Sequence, residues 1–229
     1  RGSQRANGSF DLLEALGIPL EMSPHDLARI HAETKLCFLF ARAVHPAIAA
    51  AAPYRKAAGR RTIFNLAGPL ANPAVITRQM IGAADLKTAR VLAGALSRLG
   101  LERALVVHGH PGVDDCSVTG PTTCLTVTPV GVSEAVLDRP LHPDLDPESL
   151  PGGDAQENAE IFRRLAKDEE PGPLRDLVLM SATAAIDTWR GRAFRTDSPS
   201  HRLAEKTLAS GAVANLLRRF SLRARQIAR

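Results

Sequence analysis

The sequence predicts an α/β fold, a parallel-type sheet with helices on both faces, and three observations carry that expectation. ITRQMIGAA, LKTARVLAGALSRLG and ERALVVHG run strand, helix, strand within about thirty residues, the spacing a βαβ crossover needs. TTCLTVTPVG adds a β-branched strand downstream. AQENAEIFRRLAKDEE, PLRDLVLMSATAAIDTWRG and RLAEKTLASGAVANLLRRF then supply three helices to cover the sheet.

Ahead of this run, DLLEALGI places Leu12, Leu13 and Leu16 at helical spacing, with Ser9 expected as cap and Gly17 and Pro19 as the stop. SPHDLARIHAE restarts with Ser23 as N-cap, Pro24 at the first helical position, and Leu27, Ala28 and Ile30 facing inward. FLFA (Phe38 to Ala41) suits a short buried strand, and HPAIAAAAPYRKAAG suits a helix packed through small side chains, with His45 at its start. RPLHPDLDPESLPGG holds too many breakers for anything but a loop. Trp189, alone on its helix, reads as packing. The tail LRRFSLRARQIAR is basic and amphipathic; it reads as a solvated or frayed helix end, with nucleic-acid or membrane-surface contact as the other reading. No internal repeat or low-complexity tract is visible.

With 229 residues, 45% hydrophobic and 23% charged, the chain can bury a sizeable core, and its length favours one domain over two. A net charge of +5 and a pI near 9.6 fit an anionic ligand or nucleic acid, but so small an excess is as well explained by a solvated surface. Cys37, Cys116 and Cys124 are scattered without a CxxC pair, which argues against a disulfide framework and a zinc site and for a reducing cytoplasm. No apolar run approaches the roughly 18 residues of a membrane span, and no signal-peptide core opens the chain. Because Arg1 stands first and a helix is soon under way, an upstream segment is expected to belong to the protein.

Asp114 and Asp115 directly follow the strand ERALVVHG and a Gly-containing turn, outside the carboxyl end of a strand, where α/β sheets place ligands. Adjacent loop acids can also simply cap a turn. Arg55 in APYRKAAG is suited either to pairing a ligand carboxylate or to the negative end of a helix. Pro69, between Gly68 and Pro73, reads as setting a loop. RGSQRANGSFD is a short polar loop with the composition of a linker. His108 ends a buried strand and is expected to be a hydrogen-bonded positioning residue rather than a proton carrier.

Four blocks, in order and at suitable separations, make the chain resemble the anthranilate phosphoribosyltransferase family. GSFDLLEALG is close to the family's GSADVLEALG, and RRTIFNLAGPLANP to RTIFNxLGPLxNP. ALVVHGHPGVDDCSVTGPT is similar to ALVVHGxDGLDEISLTGPT, and GGDAQENAEIF with PGPLRDLVLMSATAAI resembles a helix pair near the family's C-terminus. The likeness runs from about Gly8 to about Gly191.

It implies the C-terminal domain of the nucleoside phosphorylase and phosphoribosyltransferase fold. It also implies a magnesium-dependent enzyme that joins anthranilate to phosphoribosyl pyrophosphate (PRPP) in tryptophan biosynthesis. By resemblance, Asp114 and Asp115 bind Mg2+, Arg1, Arg5 and Ser9 bind PRPP, and Gln4, Arg55 and Pro69 bind anthranilate. The PRPP loop departs from the family's KHGNRAxSSxxGSAD: Arg1 stands for Lys, Gly2 for His and Gln4 for Asn, and the loop is shorter. A GTGGD loop and most of the family's N-terminal helical domain are not in the chain. The expected division by role is 1–22 for the PRPP loop and the helix after it, 23–216 for the α/β domain, and 217–229 for the basic tail. A cytoplasmic homodimer without membrane or nucleic-acid partners is expected. The other readings are a nucleoside phosphorylase, against which GPLANP and the VDD acid pair argue, and an inactive paralogue holding nucleic acid or a partner.

Overall fold

The computed structural model describes residues 8–45, 54, 63–150 and 152–227. In chain order its elements are α1 (Ser9–Ala15), α2 (Pro24–Thr34), α3 (Ala41–Val44), α4 (Ile63–Leu70), β1 (Arg78–Gly82), α5 (Leu86–Arg98), β2 (Arg103–Gly109), β3 (Thr122–Thr128), β4 (Gly131–Leu137), α6 (Ala155–Ala166), α7 (Pro173–Trp189), α8 (Pro199–Ala209) and α9 (Ala212–Ile227). Where length alone pointed to one domain, two compact units form, one from residues 1–68, 151–170 and 208–229, the other from 69–150 and 171–207.

The first unit is helical. Gly8, not Ser9, is the cap of α1: its N–H donates to Asp11 Oδ2 at 2.8 Å, which makes Ser9 the first helical residue. Gly17 closes the helix at φ +73, letting the Ile18 N–H return to the Leu13 carbonyl at 3.0 Å. Ser23 caps α2 as expected, accepting from the Asp26 N–H at 3.1 Å with Pro24 behind it. Leu13, Ile18, Met22, Leu27 and Ile30 form one core with Phe220 and Ala224 of α9.

The expected strand at FLFA does not form. Residues 38–40 join no ladder and Ala41 opens α3. These side chains instead serve the helical core: Phe38 meets Phe220 edge-on at 5.0 Å and Phe40 meets Phe10 at 4.9 Å. Apart from His45, which follows α3, and an exposed Tyr54, the Ala-rich segment expected as a helix lies outside the described residues.

The last expected helix breaks in two at Gly211, φ +69. The tail is not a frayed end. Through Ile227 it continues α9, with Phe220 and Ala224 fully buried, Arg223 forked onto Glu33 at 2.7 Å, and Arg225 Nε donating to the Gly17 carbonyl at 2.9 Å.

The second unit carries a four-stranded sheet in the order β1, β2, β3, β4. β1 and β2 are parallel, joined through α5, whose N-cap Asp85 accepts from the Thr88 N–H at 2.7 Å. The expected parallel pairing holds there; β2–β3 and β3–β4 are antiparallel, the latter a hairpin turning at Pro129 and Val130. Helices lie on both faces as expected. Met80, Leu105, Val107 and Cys124 pack against Leu177, Met180 and Ala184 of α7. The alternate residues Ala104, Val106, Leu125 and Val127 are buried too, and α5 lies along β2, β3 and β4 with Ala89, Leu92, Ala93 and Leu96 inward. Residues 139–150, the described start of the expected breaker-rich loop, hold only a 3-10 turn at Pro147–Ser149. Trp189 is 66% exposed, so the packing role expected for it does not hold; its carbonyl accepts from Arg78.

Among the described residues no helix is long and apolar enough to cross a membrane. The three cysteines are free. Burial raises all three thiol pKa values, that of Cys124 to about 11.

Candidate functional site

β1 and β2 end side by side, with the Ala83 N–H donating to the Val107 carbonyl at 2.9 Å just past the last strand residues. Beyond β2 the chain folds back, Gly109 and Val113 exchanging backbone hydrogen bonds of 2.9 and 2.7 Å. This return carries Asp114 and Asp115 across the carboxyl ends of both strands. Two glycines make the crossing possible. A Cβ at Gly82 would run into the Asp114 carbonyl, and one at Gly109 would sit 2.7 Å from the Asp115 carbonyl oxygen and 2.9 Å from the Ser117 nitrogen. Gly82→Ala is therefore expected to displace the acid pair and to cost about 1–3 kcal/mol of stability, as overpacking does. Thermal unfolding checks this, and an unchanged melting temperature would show that the loop yields freely.

Asp114 is exposed; Asp115 is half-buried. The Asp115 Oδ1 accepts from the Cys116 N–H at 2.8 Å and from the Ser181 hydroxyl of α7. Burial raises the Asp115 pKa; the Ser181 and Cys116 hydrogen bonds oppose the shift, and the Asp114 charge adds to it. Neither acid forms an ion pair with a Lys, Arg or His among the described residues.

Ser117 freezes the rest of the loop, donating to the His110 carbonyl at 2.7 Å and accepting from the Gly120 N–H at 3.0 Å, while its own N–H donates to Thr122 Oγ1 at 2.9 Å. His108 is buried with Nδ1 2.9 Å from the Ala83 carbonyl. Because a carbonyl can only accept, Nδ1 carries the proton, and the ring ties β2 to the end of β1. This is the hydrogen-bonded positioning role expected of it.

Pro69 lies inside α4 rather than in a loop, and its carbonyl accepts from Gln79 Nε2 at 2.7 Å, which ties the helix end to β1. Ser9 lies in the helical unit at the start of α1. Arg1, Gln4, Arg5 and Arg55 lie outside the described residues. Of the expected site residues, the structure thus brings Asp114 and Asp115 together on one loop.

Ser181 and Asp187 were not expected as site or support residues. Ser181 touches Asp115, while the fully buried Asp187 accepts from Ser200 at 2.6 Å and from the Arg195 N–H at 3.4 Å, fastening the segment after α7. Their one signal is a polar side chain within a mostly apolar helix, in LMSATAAIDTW.

Among the described residues no three His, Cys, Asp or Glu side chains converge on one metal position. Two adjacent carboxylates suit Mg2+, which commonly takes one or two and fills its other positions with water and phosphate oxygens.

Residues 1–214 match the profile of a glycosyl transferase family, a/b domain. The chain is 43% identical over 231 residues to the anthranilate phosphoribosyltransferase of Rubrobacter xylanophilus, covering all of this chain and 67% of that protein. The crystal structure of anthranilate phosphoribosyltransferase from Thermus thermophilus is similar at TM-score 0.81 and 39% identity, over 98% of this chain and 66% of that one. The anthranilate phosphoribosyltransferase of Saccharomyces cerevisiae in complex with PRPP and Mg shares the fold at TM-score 0.85 and 22% identity, over 96% of this chain and 63% of that one. The chain spans about two thirds of the length of these three proteins or slightly less.

Proposed function

This chain belongs to the anthranilate phosphoribosyltransferase family, and on that premise we propose that the protein built from it joins anthranilate to PRPP, releasing pyrophosphate and N-(5-phosphoribosyl)anthranilate in tryptophan biosynthesis. The observation that carries the proposal is the acid pair Asp114–Asp115, set across the strand ends by Gly82 and Gly109 and without a cationic partner among the described residues. Asp114 and Asp115 hold Mg2+, which when bound absorbs the charge of the departing pyrophosphate. Arg1, Arg5 and Ser9 hold PRPP. Gln4, Arg55 and Pro69 hold anthranilate, Arg55 on its carboxylate.

The amine of anthranilate attacks the anomeric carbon as the bond to pyrophosphate breaks, and the new C–N centre then loses a proton. An aromatic amine attacks without a strong base, so the protein acts by positioning and by electrostatics. The division into 1–22, 23–216 and 217–229 belongs to the same proposal as a division by role. So do a cytoplasmic location and a homodimer of the full-length protein.

PRPP is expected to bind the full-length protein only with a divalent cation. Calorimetry with and without Mg2+ tests this, and equal affinity in excess chelator would sink the reading. Arg55→Ala is expected to raise the KM for anthranilate about tenfold to a hundredfold, the worth of a charge-assisted hydrogen bond, and to leave that for PRPP nearly unchanged. Arg55→Lys recovers part of the loss, since an ammonium cannot make the planar fork. An unchanged anthranilate constant in Arg55→Ala removes Arg55 from the site.

A further inference from the structure

We infer that Ser181 is a positioning residue for the metal site: its hydroxyl turns the Asp115 carboxylate so that Oδ2 alone is offered to the cation, an inference that rests on the metal role proposed for Asp115. Oδ1 accepts both the Cys116 N–H, at 2.8 Å, and the Ser181 hydroxyl, which uses the two lone pairs of that oxygen. Oδ2 has no partner among the described residues. The carboxylate is thereby held in one rotation and presents one oxygen, the single-oxygen ligation that suits a small octahedral cation.

The donor is itself well anchored. Ser181 follows Met180 and precedes Ala184 on α7, both buried against the sheet, so the hydroxyl rides on a rigid element.

The test uses the full-length protein with Ser181→Ala and Ser181→Thr, titrated with Mg2+ by calorimetry at saturating PRPP, and melted without metal. Ser181→Ala is expected to weaken Mg2+ roughly tenfold to a hundredfold while the metal-free melting temperature stays within about 2 °C of the wild type. Ser181→Thr, which keeps the hydroxyl, restores affinity to within about twofold, less than the worth of one weak hydrogen bond. Wild-type Mg2+ affinity in Ser181→Ala overturns the inference. So does equal weakening in both variants with a fall in melting temperature, which marks Ser181 as structural only. If the wild type itself binds PRPP equally well in chelator, the metal reading of the acid pair fails, a result distinct from either.

Discussion

Asp114→Asn combined with Asp115→Asn is expected to lower the kcat/KM of the full-length protein by about a hundredfold to a thousandfold, the range that follows loss of a preorganised electrostatic contact. Both amides match the carboxylates in shape, so the backbone crossing over Gly82 and Gly109 survives. The amide that replaces the Asp115 carboxylate keeps a carbonyl oxygen, which can still accept from the Cys116 N–H and from Ser181. What is lost is charge. Burial already disfavours the ionised form of Asp115, so a neutral group there should not destabilise the fold. Turnover and thermal unfolding of one preparation therefore separate the roles: activity collapses and the melting temperature holds. A double variant that keeps its kcat/KM within about tenfold, less than one such contact is worth, excludes these acids as the metal site.

Phe220→Ala carries the largest expected loss of stability. Phe220 is fully buried and meets the Phe38 ring edge-on. Truncating a buried phenylalanine costs about 3–5 kcal/mol, because the transfer energy is lost and a cavity remains. For a chain of this size that corresponds to roughly 6–20 °C in melting temperature. A fall below about 2 °C would mean that the C-terminal helix is only loosely attached, since surface substitutions move stability by no more than about 0.5 kcal/mol.

The path from β1 through α5 to β2 was legible because its signals are local: short apolar runs for the strands, a 3.6-residue period between them, Asp85 at one end of the helix and Gly100 at the other. β4 was not. GVSEAVL is an edge strand exposed along most of its length, so no buried face imprints a pattern on it. FLFA misled because a short apolar run looks the same whether it joins a sheet or fills a helical core. The tail misled for a related reason. Among the described residues of the tail only Phe220 and Ala224 are buried, and the helix they face, α2, lies nearly the whole chain away.

At the site, the acid pair was legible from its place after a strand. Ser181 was not, since 66 residues separate it from Asp115 and only the fold makes them neighbours.

The helical unit takes its pieces from three separated stretches of chain, and translation runs in one direction. α1 and α2 leave the ribosome before α9, yet the core that holds Leu13 and Ile30 is completed by Phe220, and Glu33 waits 190 residues for Arg223. At about 5–20 residues per second that interval is roughly 10–40 s. Throughout it the early helices show an unclosed apolar face, while β1 to β4, encoded consecutively, can pair as they emerge. The nascent chain is therefore open to chaperone capture or premature cleavage at these helices, and it remains so until α9 has been made.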